Sequence, residues 1–447
     1  MTRRWFLVLL LSTVLTACTR AQPVALAPPA ASAPASAATS AATETAPPAT
    51  RTPAGTAATS AAAAAEPSGE EALRHVRVLA GEIGPRVAGS AEERRAADYI
   101  AGLLRGYGYD VELQSFPIEI FVSRSVGVQV AAPTQEPIRA AALTGSASGT
   151  ATAELYDAGL GLPTDYPASG IGGRIALVQR GQITFGDKAR NAYAAGAAAV
   201  VIYEPPTGDI IPGRLTGQVP PIPVLSIPGA DGLRLRDLLT QGPVRLSVSF
   251  DGGMERTTAL NVIGRPPGKR CAAVVGGHYD TVPNAPGGSD NASGTAAMLE
   301  AARVQALRGN PEDACFIAFG AEELGLLGSQ AFLERLSAED RQAIRFMVNL
   351  DMVAVGDTWW LIGSRTLTDR AKAIAAGLGV SAEPRELVGS SSDHATFIDR
   401  RIPAVMLHRW NDTLLHTPED TADRIRPEAL ETAVRLTIAF LAGLGTG

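Results

Sequence analysis

The chain predicts an α/β fold: a mixed β-sheet with helices on both faces and a smaller domain inserted into it. Three observations carry this. Short apolar runs at 272–277, 315–319 and 346–350 read as buried strands, and 3.6-period segments at 293–307, 367–378 and 427–444 read as helices. Strands alternating with helices give a sheet covered on both faces. A strand–turn–strand signal surrounds Arg265-Pro266-Pro267-Gly268.

Residues 70–81 read as a first helix. Ser90-Ala91-Glu92-Glu93 has the form of a capping box and opens a second, which ends near Gly106-Tyr107-Gly108. A strand follows over 109–116. From 140 to 252 the pattern changes. The stretch from Gly173 to Pro206 reads strand, helix, strand, with Phe185, Ala189, Ala192 and Ala195 on one helical face. Two short apolar runs around 222–228 and 244–250 add strands. Trp359-Trp360-Leu361-Ile362 reads as a buried strand. No internal repeat is visible.

The N-terminus reads as a targeting segment. Arg3-Arg4 precede a short apolar stretch, residues 5–17, that is too short to span a membrane as a helix. It ends in Leu15-Thr16-Ala17-Cys18, which resembles a lipobox and makes Cys18 a lipid-anchor candidate. An ordinary signal peptide and a twin-arginine signal are the alternatives. Residues 19–67 are Ala, Pro, Ser and Thr with few large apolar side chains, the composition of a disordered tether. The expected organisation is therefore 1–18 signal and lipobox, 19–67 linker, 69–135 and 253–447 catalytic domain, and 140–252 insert. The implied location is exported and membrane-tethered, outside the cytoplasm.

The 447 residues carry a net charge of −6 and no basic patch, which argues against a nucleic-acid partner. Besides Cys18 there are two cysteines, Cys271 and Cys315, both in predicted core strands. They are expected as buried free thiols, with a disulfide permitted in an oxidising compartment.

Five metal-type ligands lie along the second half: His278, Asp290, Glu323, Asp351 and His416. His278, Glu323 and Asp351 follow predicted strands, whose C-terminal ends converge on one crevice in an open α/β sheet. Asp290 lies in a Gly-rich turn. Five is one more than a single tetrahedral zinc needs. The set suits two zincs sharing a bridging carboxylate. Adjacent residues leaving a strand point to opposite sides, so Glu323 can face a metal while Glu322 faces a nucleophile. His75 and His408 read as ordinary core or surface histidines, and Asp420 as a cap for the segment that follows it.

The words GGHYDTV, GGSDNASGTAAMLEAAR, FGAEELGLLGS, NLDMV, SSDHATF and HTPEDT stand in this order. Together they resemble the co-catalytic zinc exopeptidases of peptidase family 28, of the aminopeptidase Y and secreted bacterial leucine aminopeptidase type, over roughly residues 70–445. The region 140–252 resembles the protease-associated (PA) domain commonly inserted there. The resemblance implies a zinc-exopeptidase-type sheet and two Zn2+ per chain. His278 and Asp351 would hold one ion, Glu323 and His416 the other, and Asp290 would bridge them. Asp280 would orient His278, and Glu322 would be the general base. Asp393 and His394 would form the opposite pocket wall. Family members often carry Tyr where this chain has Leu415, so either zinc would polarise the carbonyl alone or another donor, such as Tyr279 or Ser392, would replace it. The expected activity is exopeptidase action on peptides, foremost as an aminopeptidase. A carboxypeptidase, using a basic clamp drawn from Arg385, Arg400, Arg401 or Arg409, a glutaminyl cyclase and a non-catalytic binding protein remain as alternatives.

Overall fold

The computed structural model describes residues 65–443 except 205–207, 211–212 and 311. The leader, Cys18 and nearly all of the tether lie outside them. Among the described residues no helix is long and apolar enough to cross a membrane.

Helix α1 (Gly69–Val76) runs into a π-helical segment, Arg77–Ile83, so the first predicted helix changes its winding midway. Helix α2 (Ala91–Gly106) follows, capped by Ser90, whose Oγ accepts from Glu93 N at 3.0 Å. The return half of the capping box is displaced. The Glu93 carboxylate accepts from Gly89 N, one residue before the cap, and from Leu260 N across the core. Burial pushes its pKa up to about 7 against those hydrogen bonds.

Strand β1 (Asp110–Ala132) is far longer than the run 109–116 that the sequence suggests. It pairs antiparallel with a later long strand over its whole length, from Asp110 against Arg265 to Ala132 against Arg245. Between them lie β2 (Glu136–Ile138), β3 (Ala141–Ala142), β4 (Gly149–Asp157), β5 (Ile175–Gln179), α3 (Phe185–Ala194), β6 (Ala199–Tyr203), β7 (Val224–Ile227) and α4 (Gly229–Gln241). The long partner is β8 (Arg245–Arg265). Strands β4 to β7 form a parallel sheet with its own core on both faces. The outer parts of β1 and β8, including Val128, Val130, Leu246, Val248 and Phe250, pack into that smaller core. The ribbon thus belongs to two cores, which is why neither strand ends where the composition changes.

The remaining elements are β9 (Ala273–His278), α5 (Gly294–Leu307), β10 (Ala314–Phe319), α6 (Leu327–Arg335), α7 (Ala338–Ala343), β11 (Phe346–Leu350), β12 (Thr358–Gly363), α8 (Arg365–Gly377), β13 (Ala382–Pro384), α9 (His394–Asp399), β14 (Ala404–Trp410) and α10 (Pro427–Ala442). The sheet runs β13-β12-β14-β11-β9-β10-β8 and continues through β4 into the insert. Strands β14, β11, β9 and β10 are parallel and wholly or largely buried, as apolar runs covered on both faces should be. The main core packs α1, α2, α5, α8 and α10 on one face, and a second cluster around Phe319, Phe332 and Phe397 covers the other. Cys271 and Cys315 are bonded, with their Cα atoms 5.3 Å apart, and the expectation of free thiols is corrected. Cys271 stands two residues before β9 and Cys315 is the second residue of β10, the strand that pairs beside β9.

Candidate metal centre

The parallel strands β11, β9 and β10 are neighbours and end on one edge, which delivers three of the five donors. His278 is the last residue of β9, Asp351 follows β11, and Glu322-Glu323 come after β10 with two residues between. Asp290 stands in the turn Gly288–Ser293 before α5, where the Asp290–Asn291 peptide is cis. The Asn291 side chain fixes this turn. It donates to Leu350 O and accepts from Gly294 N and Met352 N, tying the Asp290 turn to the loop of Asp351. Gly294 is required here, since a Cβ would lie 2.0 Å from Leu350 O.

The donors form two groups that share Asp290. His278 Nε2 lies 3.1 Å from Asp290 Oδ1 and 3.6 Å from Asp351 Oδ1. His416 Nε2 lies 3.0 Å from Asp290 Oδ2 and 3.3 Å from Glu323 Oε2. Each oxygen of Asp290 therefore faces a different histidine. The His278 Nδ1 faces the carbonyl oxygen of Asp280 at 3.2 Å and its carboxylate at 3.6 Å, which leaves Nε2 directed at the acids. The Asp280 carboxylate itself accepts from Glu322 N and Glu323 N, so it sets the turn bearing both glutamates.

The electrostatics point one way. Burial disfavours charge on His278, but Glu322, Asp280, Asp290 and Asp351 outweigh it and hold its pKa well above the ordinary value. Hydrogen bonds to Asp290 and Glu323 push His416 up to about 10. Burial, with Asp393, Asp351 and Asp280 nearby, pushes Glu322 up to about 10 against the pull of His278. Glu323 Oε1 and Asp351 Oδ1 are buried without a hydrogen bond. Buried carboxylates left in this state are stabilised by a cation. Two groups of nitrogen and oxygen donors with a shared carboxylate fit a pair of zinc ions.

A cavity of about 290 Å³ opens over these groups. Its floor and walls include Met352, Met406 and His408, and its mouth includes Leu387, Trp410 and Leu415. Met406, His408 and Trp410 alternate along β14 and so share a face. His408, read from sequence as a bystander, is thus a pocket residue, its Nδ1 3.0 Å from Asp351 O. The alternation followed by a metal loop was the available signal. Trp410 stacks on Trp360 at 4.1 Å.

Several expectations are corrected. Tyr279 is fully buried, and its OH donates to Leu260 O and Glu93, away from the cavity. Asp393 and His394 are buried behind the cavity and do not line it. Ser392 accepts from Asn349 in the interior. Neither proposed oxyanion donor reaches the cavity. Asp420 does not cap its own segment; its carboxylate accepts from Ser289 N at 2.8 Å and Asp290 N at 3.0 Å. Sequence reasoning missed Arg86 altogether. This buried guanidinium donates to the carbonyls of Leu79, Tyr279, Gly84, Pro286 and Gly287, pinning the turn that leads to Asp290.

Comparison with known proteins agrees with this architecture. Residues 261–441 match the model of Peptidase family M28, and residues 146–235 match the PA domain. Aminopeptidase YwaD of Bacillus subtilis is 35% identical over 395 residues, 83% of either chain. A probable lipoprotein aminopeptidase, LpqL of Mycobacterium tuberculosis, is 31% identical over 280 residues, 61% of this chain and 55% of that one. Among solved structures, BSAP, a zinc aminopeptidase from Bacillus subtilis, is 34% identical with a TM-score of 0.68, covering 83% of this chain and 94% of that one. An aminopeptidase from Aneurinibacillus sp. strain AM-1 is 31% identical with a TM-score of 0.68, over 85% and 94%. With the sheet, the inserted domain and the shared-carboxylate donor set all in place, this chain belongs to peptidase family M28.

Proposed function

We propose that this chain is a two-zinc aminopeptidase, exported and tethered through Cys18, that removes N-terminal residues from peptides. The observation that carries the reading is the absence of a basic side chain from the cavity. Among the described residues its lining includes Asp290, Glu322, Glu323, Asp351 and Asp412, and no Lys or Arg. Bound zinc would offset the charge of the donor carboxylates, so what is missing is the fixed cation that a carboxypeptidase needs to pair with a substrate α-carboxylate. The arginines of the carboxypeptidase alternative are engaged elsewhere or lie off the cavity. Arg409 donates to Val355 O and Gly356 O, Arg400 pairs with Glu334, and neither Arg385 nor Arg401 lines it.

His278, Asp351 and Asp290 would hold one ion, and Glu323, His416 and Asp290 the other. Zinc held there supplies a water acidified from a pKa of about 16 to about 7 and polarises the scissile carbonyl. Glu322 is the proton carrier: it takes the proton as the water oxygen attacks the carbonyl carbon, then passes it to the amine nitrogen as the C–N bond breaks. Its burial beside Asp393 raises its proton affinity, which suits the uptake step. Asp280 fixes Glu322 through the backbone amide it accepts from. The apolar wall of Met352, Met406 and Leu415 excludes water around the reacting groups.

The test is hydrolysis of aminoacyl nitroanilides beside N-blocked, free-carboxyl peptides, with metal content measured on the same preparation. Cleavage of the first set alone, with two zincs per chain and loss on chelation, is expected. Cleavage of the blocked peptides alone would overturn the reading in favour of a carboxypeptidase.

A further inference from the structure

The two halves of the donor set are held differently. His278 ends a buried strand and is 1% exposed. His416 stands on the loop 411–421, its side chain 47% exposed and its φ at +61°. A non-glycine residue keeps that conformation only where its surroundings enforce it.

What surrounds this loop is a buried ion network. Asp412 lies at its start and Asp420 near its end, and their side chains are 0% and 1% exposed. Both meet Arg424, which follows the loop. Arg424 Nη2 donates to Asp412 Oδ1 at 2.6 Å, and Nη1 donates to Asp420 Oδ1 at 3.3 Å. Asp412 also accepts from Leu414 N, two residues before His416. The Asp420 carboxylate accepts from the amides of Ser289 and Asp290. The guanidinium therefore joins both ends of the His416 loop and, through Asp420, the backbone of the shared carboxylate. A planar fork with fixed donor directions can hold two carboxylates at a set spacing, which a lysine cannot.

We propose that Arg424 is a positioning residue for one half of the metal centre. By bracing Asp412 against Asp420 it holds His416 and Asp290 at the spacing from Glu323 that a shared cation requires. This rests on the two-ion reading above. Arg424 does not line the cavity, so it acts through these partners. The half built on His278 and Asp351 takes its geometry from strand ends and meets Arg424 only through the shared Asp290.

The test uses Arg424→Gln and Arg424→Lys in the mature chain, stripped of metal by chelation. Zinc is titrated against a chromophoric chelator, and amide hydrogen exchange is followed on the metal-free protein. Expected is a loss on the order of 10–100-fold in affinity at the site that includes His416, the usual cost of removing an outer partner of a metal ligand, with a smaller loss at the other, which shares only Asp290. Exchange should quicken across 411–421 and at Ser289 and Asp290, and Arg424→Lys should restore the affinity only in part. Two unchanged affinities would overturn the proposal, as would a parallel fall at both sites with a lowered melting temperature. Should the Arg424 variants fail to fold, Asp412→Asn keeps the Asp420 arm and removes the other; a smaller but still selective loss is expected, and unchanged binding refutes the brace. A parent protein that binds one ion would sink the two-ion reading instead. The exchange data then decide: unaltered exchange over 411–421 refutes the brace, and quickening confined there sustains it.

Discussion

The Cys271–Cys315 bond offers a perturbation whose size follows from the structure. The cysteines are 44 residues apart in sequence, and the closed loop contains the Asp290 turn and all of α5. Cross-linking a loop of that length removes enough entropy from the unfolded chain to stabilise the fold by about 4 kcal/mol. Unfolding roughly 380 ordered residues carries an entropy of about 0.8 kcal/mol/K, so losing the bond should lower the melting temperature by about 5 °C. Each cysteine precedes a site residue, His278 or Glu322, by seven positions. At about 3.3 Å per residue that is roughly 20 Å of strand and turn. The double variant Cys271→Ser/Cys315→Ser should therefore melt earlier by calorimetry yet turn over normally at 25 °C, with no shift when reductant is added to it. A variant that keeps the parent's melting temperature but loses turnover would refute this reasoning, because it would mean that the bond shapes the site rather than the unfolded chain.

Replacing Glu322 with Gln should lower kcat by about 10²–10⁴-fold while leaving metal content intact, since the base is not a donor in either group; stopped assays and metal analysis on one sample decide it, and near-normal turnover would remove its role. Asp290→Ala should lose metal and activity together, because both halves share that carboxylate; a full complement of bound zinc would end the bridging assignment. His75 is buried against Tyr99, and burial, with Arg74 and Arg303 adding, lowers its pKa from 6.5 to about 4. A group depressed in the fold supplies stability above its unfolded pKa and loses it as pH falls through the folded one, here from about 6.5 down to 4, a span worth about 3 kcal/mol. Denaturant midpoints across that window should be flatter for His75→Gln than for the parent.

Those parts of the molecule fixed by local chemistry were legible in the sequence. Strands β9, β10 and β11 are short apolar runs that end in polar turns, and three of the five candidate donors leave them directly. The parts fixed by long-range pairing were not. Nothing local marks β1 as one strand of 23 residues, because its length is imposed by β8 across the ribbon. The same holds within the site. Asp420 resembles a local cap, but its partners lie some 130 positions earlier, in the turn of Asp290. Tyr279 directly follows a donor in sequence, yet the strand's alternation sends it to the opposite side, against Leu260 and Glu93. Arg86 carries no local signal, because the five carbonyls that surround it come from three separate segments.

The acidity of the cavity ties the metal centre to proton balance. His278, His416 and Glu322 are all held above their usual pKa values, with His416 and Glu322 at about 10. In the metal-free chain near neutral pH the two histidines, held protonated, supply the positive charge that the buried carboxylates lack, while protonated Glu322 is neutral. A histidine nitrogen must be free of its proton to bind a cation. Loading the site therefore exchanges protons for metal, and its affinity should rise with pH. The apolar walls around Met352, Met406 and Leu415 sharpen that exchange, since charges attract more strongly where water is excluded. The carboxylates that line the cavity are thus the groups that favour cations over the protons they displace.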